Sequence, residues 1–530
     1  MASKSIKRRR KSQNMPPSHR SRPACVHSKV TYTPSPHAKE VGYSQPSSKD
    51  RQNAMRPSPS SRSTFKVRPN QLRTDLDTFP APLVLPDDDL ALDPEYPPQS
   101  FQEWYDEEDR NAVTAQRRTV YVVSPPGVES GLDGSYSKGK SVGVGGWMKP
   151  RMVDSGSKST IAFPQAQDVI DYLSAFYRGV PVSRLNLPNW KFTSWDEPET
   201  TTTKRSAKVK ASRTRKPLNE FIGLATDTEC IRIRTRPCPD GLFTHQLNLD
   251  DLLDAAISIL PKDAYALCML VHHDLFEDDD DTFVCGRAYG GSRVAVVSTA
   301  RYNPLLDGVQ GVERGHAWPA GHCSSYVEEA CRAAGSVLKR SKGFPVSRTR
   351  SSKKNNTGRQ PLEAALAAYS GSTSPISNTG TNTGSEAALW LWRVARTVSH
   401  ELGHCFGIDH CVYYACIMQG SASLSEDTRQ PPYLCPVDLA KVLASTGSNV
   451  DERDRALLRF CEKGEWRDVP CFRAYAGWLK SSLGLGEGPR VGDEEGGQGR
   501  GADIGGGDGE TGASGLISES WKKLWEDLED

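Results

Sequence analysis

His400, Glu401, His404, Gly407 and His410 fall in one short stretch with the spacing H-E-x-x-H-x-x-G-x-x-H. On a helix, His400 and His404 lie one turn apart, so both imidazoles can reach a single ion. Gly407 can take the left-handed conformation that ends a helix, which lets the chain turn and bring His410 back as a third ligand. Three protein ligands leave a fourth position for water, the arrangement of a catalytic zinc rather than a structural one. Glu401 follows the first ligand directly, where its carboxylate can take a proton from that water. The competing reading is a helix carrying satisfied surface histidines. Five specified residues at fixed spacing weigh against it.

Beyond His410 the chain continues through Cys411, Cys416 and Met418, and then through Cys435, Pro436, Val437 and Asp438. The whole string, H-E-x-x-H-x-x-G-x-x-H-C-x4-C-x-M, resembles the archaemetzincins, a branch of the metzincin zinc peptidases. That resemblance implies a zincin-like fold with a catalytic zinc on His400, His404 and His410, and Glu401 as general base. It also implies Met418 as an apolar floor beneath the metal, and a second zinc held by cysteines. The family pattern has a C-x-x-C pair where this chain has Cys435 and Asp438. Carboxylate oxygen binds zinc, so Cys411, Cys416, Cys435 and Asp438 are a three-thiolate, one-carboxylate set. Water, Cys461 or Cys471 are the other candidates for the fourth place. A group of buried free cysteines is the metal-free alternative.

These ligands need a rigid platform. Residues 385–399 are rich in helix formers, with Leu391, Val394, Ala395 and Val398 at helical spacing, and predict a buried helix running into the motif. Apolar runs at 264–271, 283–288 and 292–299 predict strands, the first fully buried. By resemblance, the run at 292–299 is the edge strand above the cleft, where an extended peptide would add as a further strand, with a plain core strand as the alternative. The acidic run 277–281 does not have EF-hand spacing and reads as a solvated loop. Residues 98–123 and 169–185 have core-forming character and resemble the N-terminal region of fungal archaemetzincin-like proteins.

The predicted fold is α+β: a zincin-like metallopeptidase domain with a mixed sheet and an active-site helix, flanked by disordered tails. Residues 1–75 hold 17 Lys and Arg against 3 Asp and Glu, with few apolar clusters, so 1–95 is expected to be a disordered basic tail. A catalytic domain over 96–480 would carry flexible insertions at about 196–216 and 343–384. A glycine-rich acidic linker would follow at 481–515. The last segment, 516–530, reads as a short amphipathic helix that either docks a protein partner or folds back.

The net charge of +2 hides oppositely charged tails and points to no partner class. Thirteen cysteines, an odd count with metal-site spacing, and no signal-like start favour a reducing intracellular compartment, cytoplasm or nucleus, over secretion. The basic run 7–11 reads equally as a nuclear localisation signal or a solvated tail. No stretch suits a membrane span. The basic runs lack interleaved aromatics, which disfavours nucleic acid. The expected activity is hydrolysis of a peptide or protein substrate, and the alternative is a zinc-stabilised interaction protein without catalysis.

Overall fold

Residues 264–271 are apolar at every position, a pattern that suits a strand covered on both faces. In the computed structural model, which describes residues 7–9, 27, 29–57, 73, 75–132, 143–151, 161–195, 221–333, 359–370 and 383–485, Ala264–Val271 is the middle strand of a five-stranded sheet. The order is Gly286–Tyr289, Val294–Ser298, Ala264–Val271, Thr119–Val123, Val182–Leu185. The last four run parallel, and Gly286–Tyr289 lies antiparallel at the edge.

Alternation of side chains sorts the two faces. Ala266, Cys268 and Leu270 share a core with Trp390, Val394, Val398 and Leu402 of the long helix Thr383–Cys405, and with helix Ala166–Phe176. Leu267, Met269 and Val271 face Leu249, Leu252, Leu253 and Ala256 of helix Leu249–Ser258. Asn248 caps that helix through the Asp251 amide.

A second, mixed sheet of eight strands runs in the order Lys7–Arg9, Asp281–Val284, Asp274–Phe276, His245–Asn248, Cys230–Pro237, Phe221–Ala225, Lys191–Thr193, Gly127–Val128. The run predicted as one strand over 283–288 is thus divided. Asp281–Val284 belongs to this sheet and Gly286–Tyr289 to the other. The acidic run 277–281 closes the turn ahead of it, with the Asp278 carboxylate accepting the amides of Asp280 and Asp281.

The expectation for 292–299 needs correction. Val294–Ser298 is paired on both sides, so it is an inner strand, and the edge is Gly286–Tyr289. A second correction concerns 1–95. Phe79, Leu83, Val84 and Leu85 are buried, and the Pro80 carbonyl accepts the Ala415 amide at 2.9 Å. Tyr43 Oη donates to the Val412 carbonyl at 2.7 Å, and Arg429 pairs with Asp88. The described part of this region is therefore a strap on residues 412–429, not a tail. Its apolar residues are too scattered to reveal that from periodicity.

The insertion expected at 343–384 also carries order, because helix Pro361–Ser370 buries Leu362, Ala365 and Leu366. Helices Pro436–Thr446, Val450–Cys461 and Pro470–Ser482 complete the lower part. The expected insertion 196–216, the glycine-rich acidic linker beyond 485 and the helix at 516–530 lie outside the described residues. Among the described residues, no helix is long and apolar enough to cross a membrane.

Candidate active site

The long helix is buried along nearly its whole second half, so its backbone cannot drift beneath the motif. His400 and His404 stack one turn apart with their Nε2 atoms 3.0 Å from each other. Each Nδ1 meets a carbonyl at 2.7 Å, that of Ile417 for His400 and that of Ile408 for His404. A ring that donates from Nδ1 keeps the Nε2 lone pair free for a metal. Burial holds the pKa of His400 down at about 4 and that of His404 well below its ordinary value, so both rings stay neutral.

Gly407 has φ of +75° and ends the helix, its amide meeting the His404 carbonyl at 3.0 Å. The chain then brings His410 back, with its ring 5.3 Å from that of His400 and 5.1 Å from that of His404. The ligand atoms of the three rings lie within 4.8 Å of one another. Zinc with Zn–N of ~2.05 Å in a tetrahedron sets ligand atoms ~3.4 Å apart, so the trio fits with small adjustment.

Beneath them lies Met418, fully buried. A Cβ on Gly403 would stand 2.5 Å from its Sδ, so the thioether rests against bare helix backbone between the two histidines. The same turn carries the carbonyl that holds His400, and the Met418 carbonyl accepts the Cys411 amide at 2.8 Å.

Glu401 faces the edge strand. Its carboxyl is pushed up to about 8 by burial, against the pull of the Arg287 charge and the Ala288 amide. Its Oε2 is buried and has no hydrogen-bond partner among the described residues. A buried carboxylate oxygen with no partner is costly unless something else engages it.

Cys411, Cys416, Cys435 and Asp438 converge to form a second group, every member buried. Cys435 caps helix Pro436–Thr446 and Asp438 sits in its first turn, one turn along the same face. The positive end of that helix favours anionic donors. Cys411 and Cys435 sulfurs are 3.5 Å apart, and Asp438 Oδ2 is 3.3 Å from Cys416 Sγ and 3.4 Å from Cys435 Sγ. A zinc tetrahedron with Zn–S of ~2.3 Å and Zn–O of ~2.0 Å has edges of ~3.5 to ~3.8 Å, so the four donors fit one ion. The amides of Met418 and Cys435 point at Cys416 Sγ. Cys461 and Cys471, at the ends of helices Val450–Cys461 and Pro470–Ser482, stay outside this group.

Residues 378–442 match the model of Peptidase family M54. Over this segment the chain is similar to the archaemetzincins. The archaemetzincin-2 of Homo sapiens is 44% identical over 83 residues, covering 16% of this chain and 23% of that protein. The archaemetzincin-1 of Homo sapiens is 25% identical over 260 residues, 47% of this chain and 43% of that protein. The chain thus spans less than half the length of either relative. A solved archaemetzincin from Methanopyrus kandleri aligns with 63% of this chain and 98% of its own, at 15% identity and a TM-score of 0.26.

Over residues 378–442 the candidate ligand side chains were legible, but their supports were not. The carbonyls of Ile408 and Ile417 carry no sequence signal, since any residue supplies one. Arg287 and Ala288 lie more than a hundred residues upstream. Lys441 stands three residues after Asp438 in an otherwise uncharged helical run, a spacing that pairs the two on one face.

Proposed function

We propose that this chain is a zinc-dependent metallopeptidase that hydrolyses peptide bonds, with Glu401 as general base. The observation that carries the reading is the unpartnered Glu401 oxygen beside three converging imidazoles. His400, His404 and His410 would hold the catalytic zinc. When bound, it supplies a Lewis acid and lowers the pKa of water from about 15.7 toward about 7. Glu401 accepts the proton of the attacking water at its free oxygen and returns it to the leaving nitrogen. A carboxyl raised toward neutrality by burial is suited to both halves of that transfer. Gly286–Tyr289 would align an extended peptide by strand addition, with the Arg287–Ala288 stretch beside Glu401 fixing the register.

Cys411, Cys416, Cys435 and Asp438 would hold a second, structural zinc, and Met418 would form the floor of the catalytic one. Every described cysteine is a free thiol, which suits an intracellular, reducing compartment. One observation favours a second reading, a zinc-stabilised interaction protein. Glu401, His404 and His410 are each less than a tenth exposed.

A diverse peptide library, incubated with zinc-loaded protein and with its Glu401→Ala variant, separates the two. Cuts made by the wild type alone, read by mass spectrometry, are the expected result. No cuts by either protein, with two zinc ions per chain verified, would leave the interaction reading standing.

A further inference from the structure

Lys441 is 1% exposed, a position where an ammonium is very costly unless each of its protons finds an acceptor. All three do. Nζ lies 2.9 Å from Asp438 Oδ1, 2.7 Å from the Gln99 carbonyl and 2.9 Å from Gln99 Oε1. Gln99 comes from the upstream strap, just ahead of helix Phe101–Asp106. Its side chain continues the path. Gln99 Nε2 donates to the Gly407 carbonyl at 3.0 Å, and its Oε1 accepts the Asp409 amide at 3.2 Å. Gly407 to Asp409 is the turn that returns His410 to its partners.

The geometry points to a relay in which Asp438, Lys441 and Gln99 couple the cysteine-rich centre to the placement of His410. The relay rests on the reading of that centre as a zinc site. It also accounts for an aspartate where the family pattern has a cysteine. A carboxylate has two oxygens, so Oδ2 can face the three sulfurs while Oδ1 takes the lysine. A thiolate has a single sulfur, which the ion and the lysine would have to share. Asp438 and Lys441 are therefore a matched pair, and Lys441 and Gln99 are positioning residues for a ligand they do not touch.

The test uses the full chain loaded with cobalt in place of zinc. Thiolate-to-cobalt charge transfer reports the cysteine centre, and the weaker ligand-field bands report the histidine centre. Loss of cobalt from each is followed after addition of a chelator. Gln99→Ala should leave the thiolate bands unchanged and speed loss from the histidine centre about ten- to a hundredfold, the range for removing a residue that orients a ligand. Asp438→Cys should keep or strengthen the thiolate bands and still speed loss from the histidine centre, because Lys441 is stranded. Asp438→Cys combined with Lys441→Met should recover part of that loss, an interaction that two independent structural defects would not show.

Wild-type protein with thiolate bands, whose histidine centre loses metal at the same rate in Gln99→Ala and in Asp438→Cys, overturns the relay and leaves the second metal site intact. Wild-type protein with no thiolate bands overturns the second metal site, and the relay with it.

Discussion

The two candidate metal centres adjoin in sequence, His410 being followed by Cys411, yet they are built on opposite principles. The histidine centre offers three donors and an adjacent buried carboxylate with an unused oxygen. The cysteine centre offers four donors, and its carboxylate has both oxygens engaged, one toward the sulfurs and one by Lys441. An incomplete donor set beside an idle base suits chemistry, whereas a complete one suits holding a fold together. The contrast shows how one turn of chain can serve both. The loop from Cys411 to Met418 lends its sulfurs to one centre, and its Ile417 carbonyl and Met418 thioether to the other.

The sharpest way to break this contrast is to remove one side chain from each side. Glu401→Ala should lower cleavage by about a hundred- to ten-thousandfold with zinc content held, since the carboxylate is not one of the three nitrogen donors. A variant as active as wild type would end the general-base assignment. Cys416→Ser should do the reverse, costing about 4 kcal/mol of stability through loss of a structural ion, as read by urea unfolding. A change within experimental scatter would mean that the cysteine centre holds no metal. Graded addition of a chelator sharpens the same point. Cleavage should vanish while the near-ultraviolet dichroism is still native, and unfolding should follow only at higher chelator concentration.

Smaller effects probe what lies between the centres and away from them. Gly403→Ala pushes a methyl group toward Met418 Sδ and should cost about 1–3 kcal/mol by overpacking, together with faster metal loss from the histidine centre. Loss of stability without faster metal loss would argue that Met418 is only core. His273 belongs to neither centre. Burial holds its pKa down at about 4, against 6.5 for the free group. The unfolded chain therefore binds a proton below about 6.5 that the folded chain refuses until about 4. Its stabilising contribution is complete above 6.5 and fades as the pH falls through that window, by roughly 1.4 kcal/mol per unit of pKa difference. Replacing His273 with Asn should flatten that stretch of the stability curve. Equal slopes in wild type and His273→Asn would refute the assignment.

How much was legible depended on how far the information travels along the chain. The spacing in 400–410 specifies a helix, a turn and three ligands within a few residues, and the helix, the left-handed Gly407 and the convergence all follow. The strand at 264–271 was equally plain, because a continuous apolar run needs no partner to be recognised. The edge of the sheet was not. Val294–Ser298 is more apolar than Gly286–Tyr289, and apolarity reports burial rather than strand order. The described residues of 27–95 were read as part of a tail for a related reason. Its basic composition outweighed a few apolar residues whose burial depends on distant loops.

The sequence by itself determined the chemistry on offer: which side chains could hold a metal, which could carry a proton, and that a fourth cysteine is replaced by Asp438. Those are properties of residue type and short spacing, which the chain carries locally. Only the tertiary structure decided what surrounds them. It placed Ala288 beside Glu401, the Ile417 carbonyl on His400, and Gln99 between Lys441 and the turn before His410. Contacts across such long separations arise from closing the core, and no local pattern encodes them.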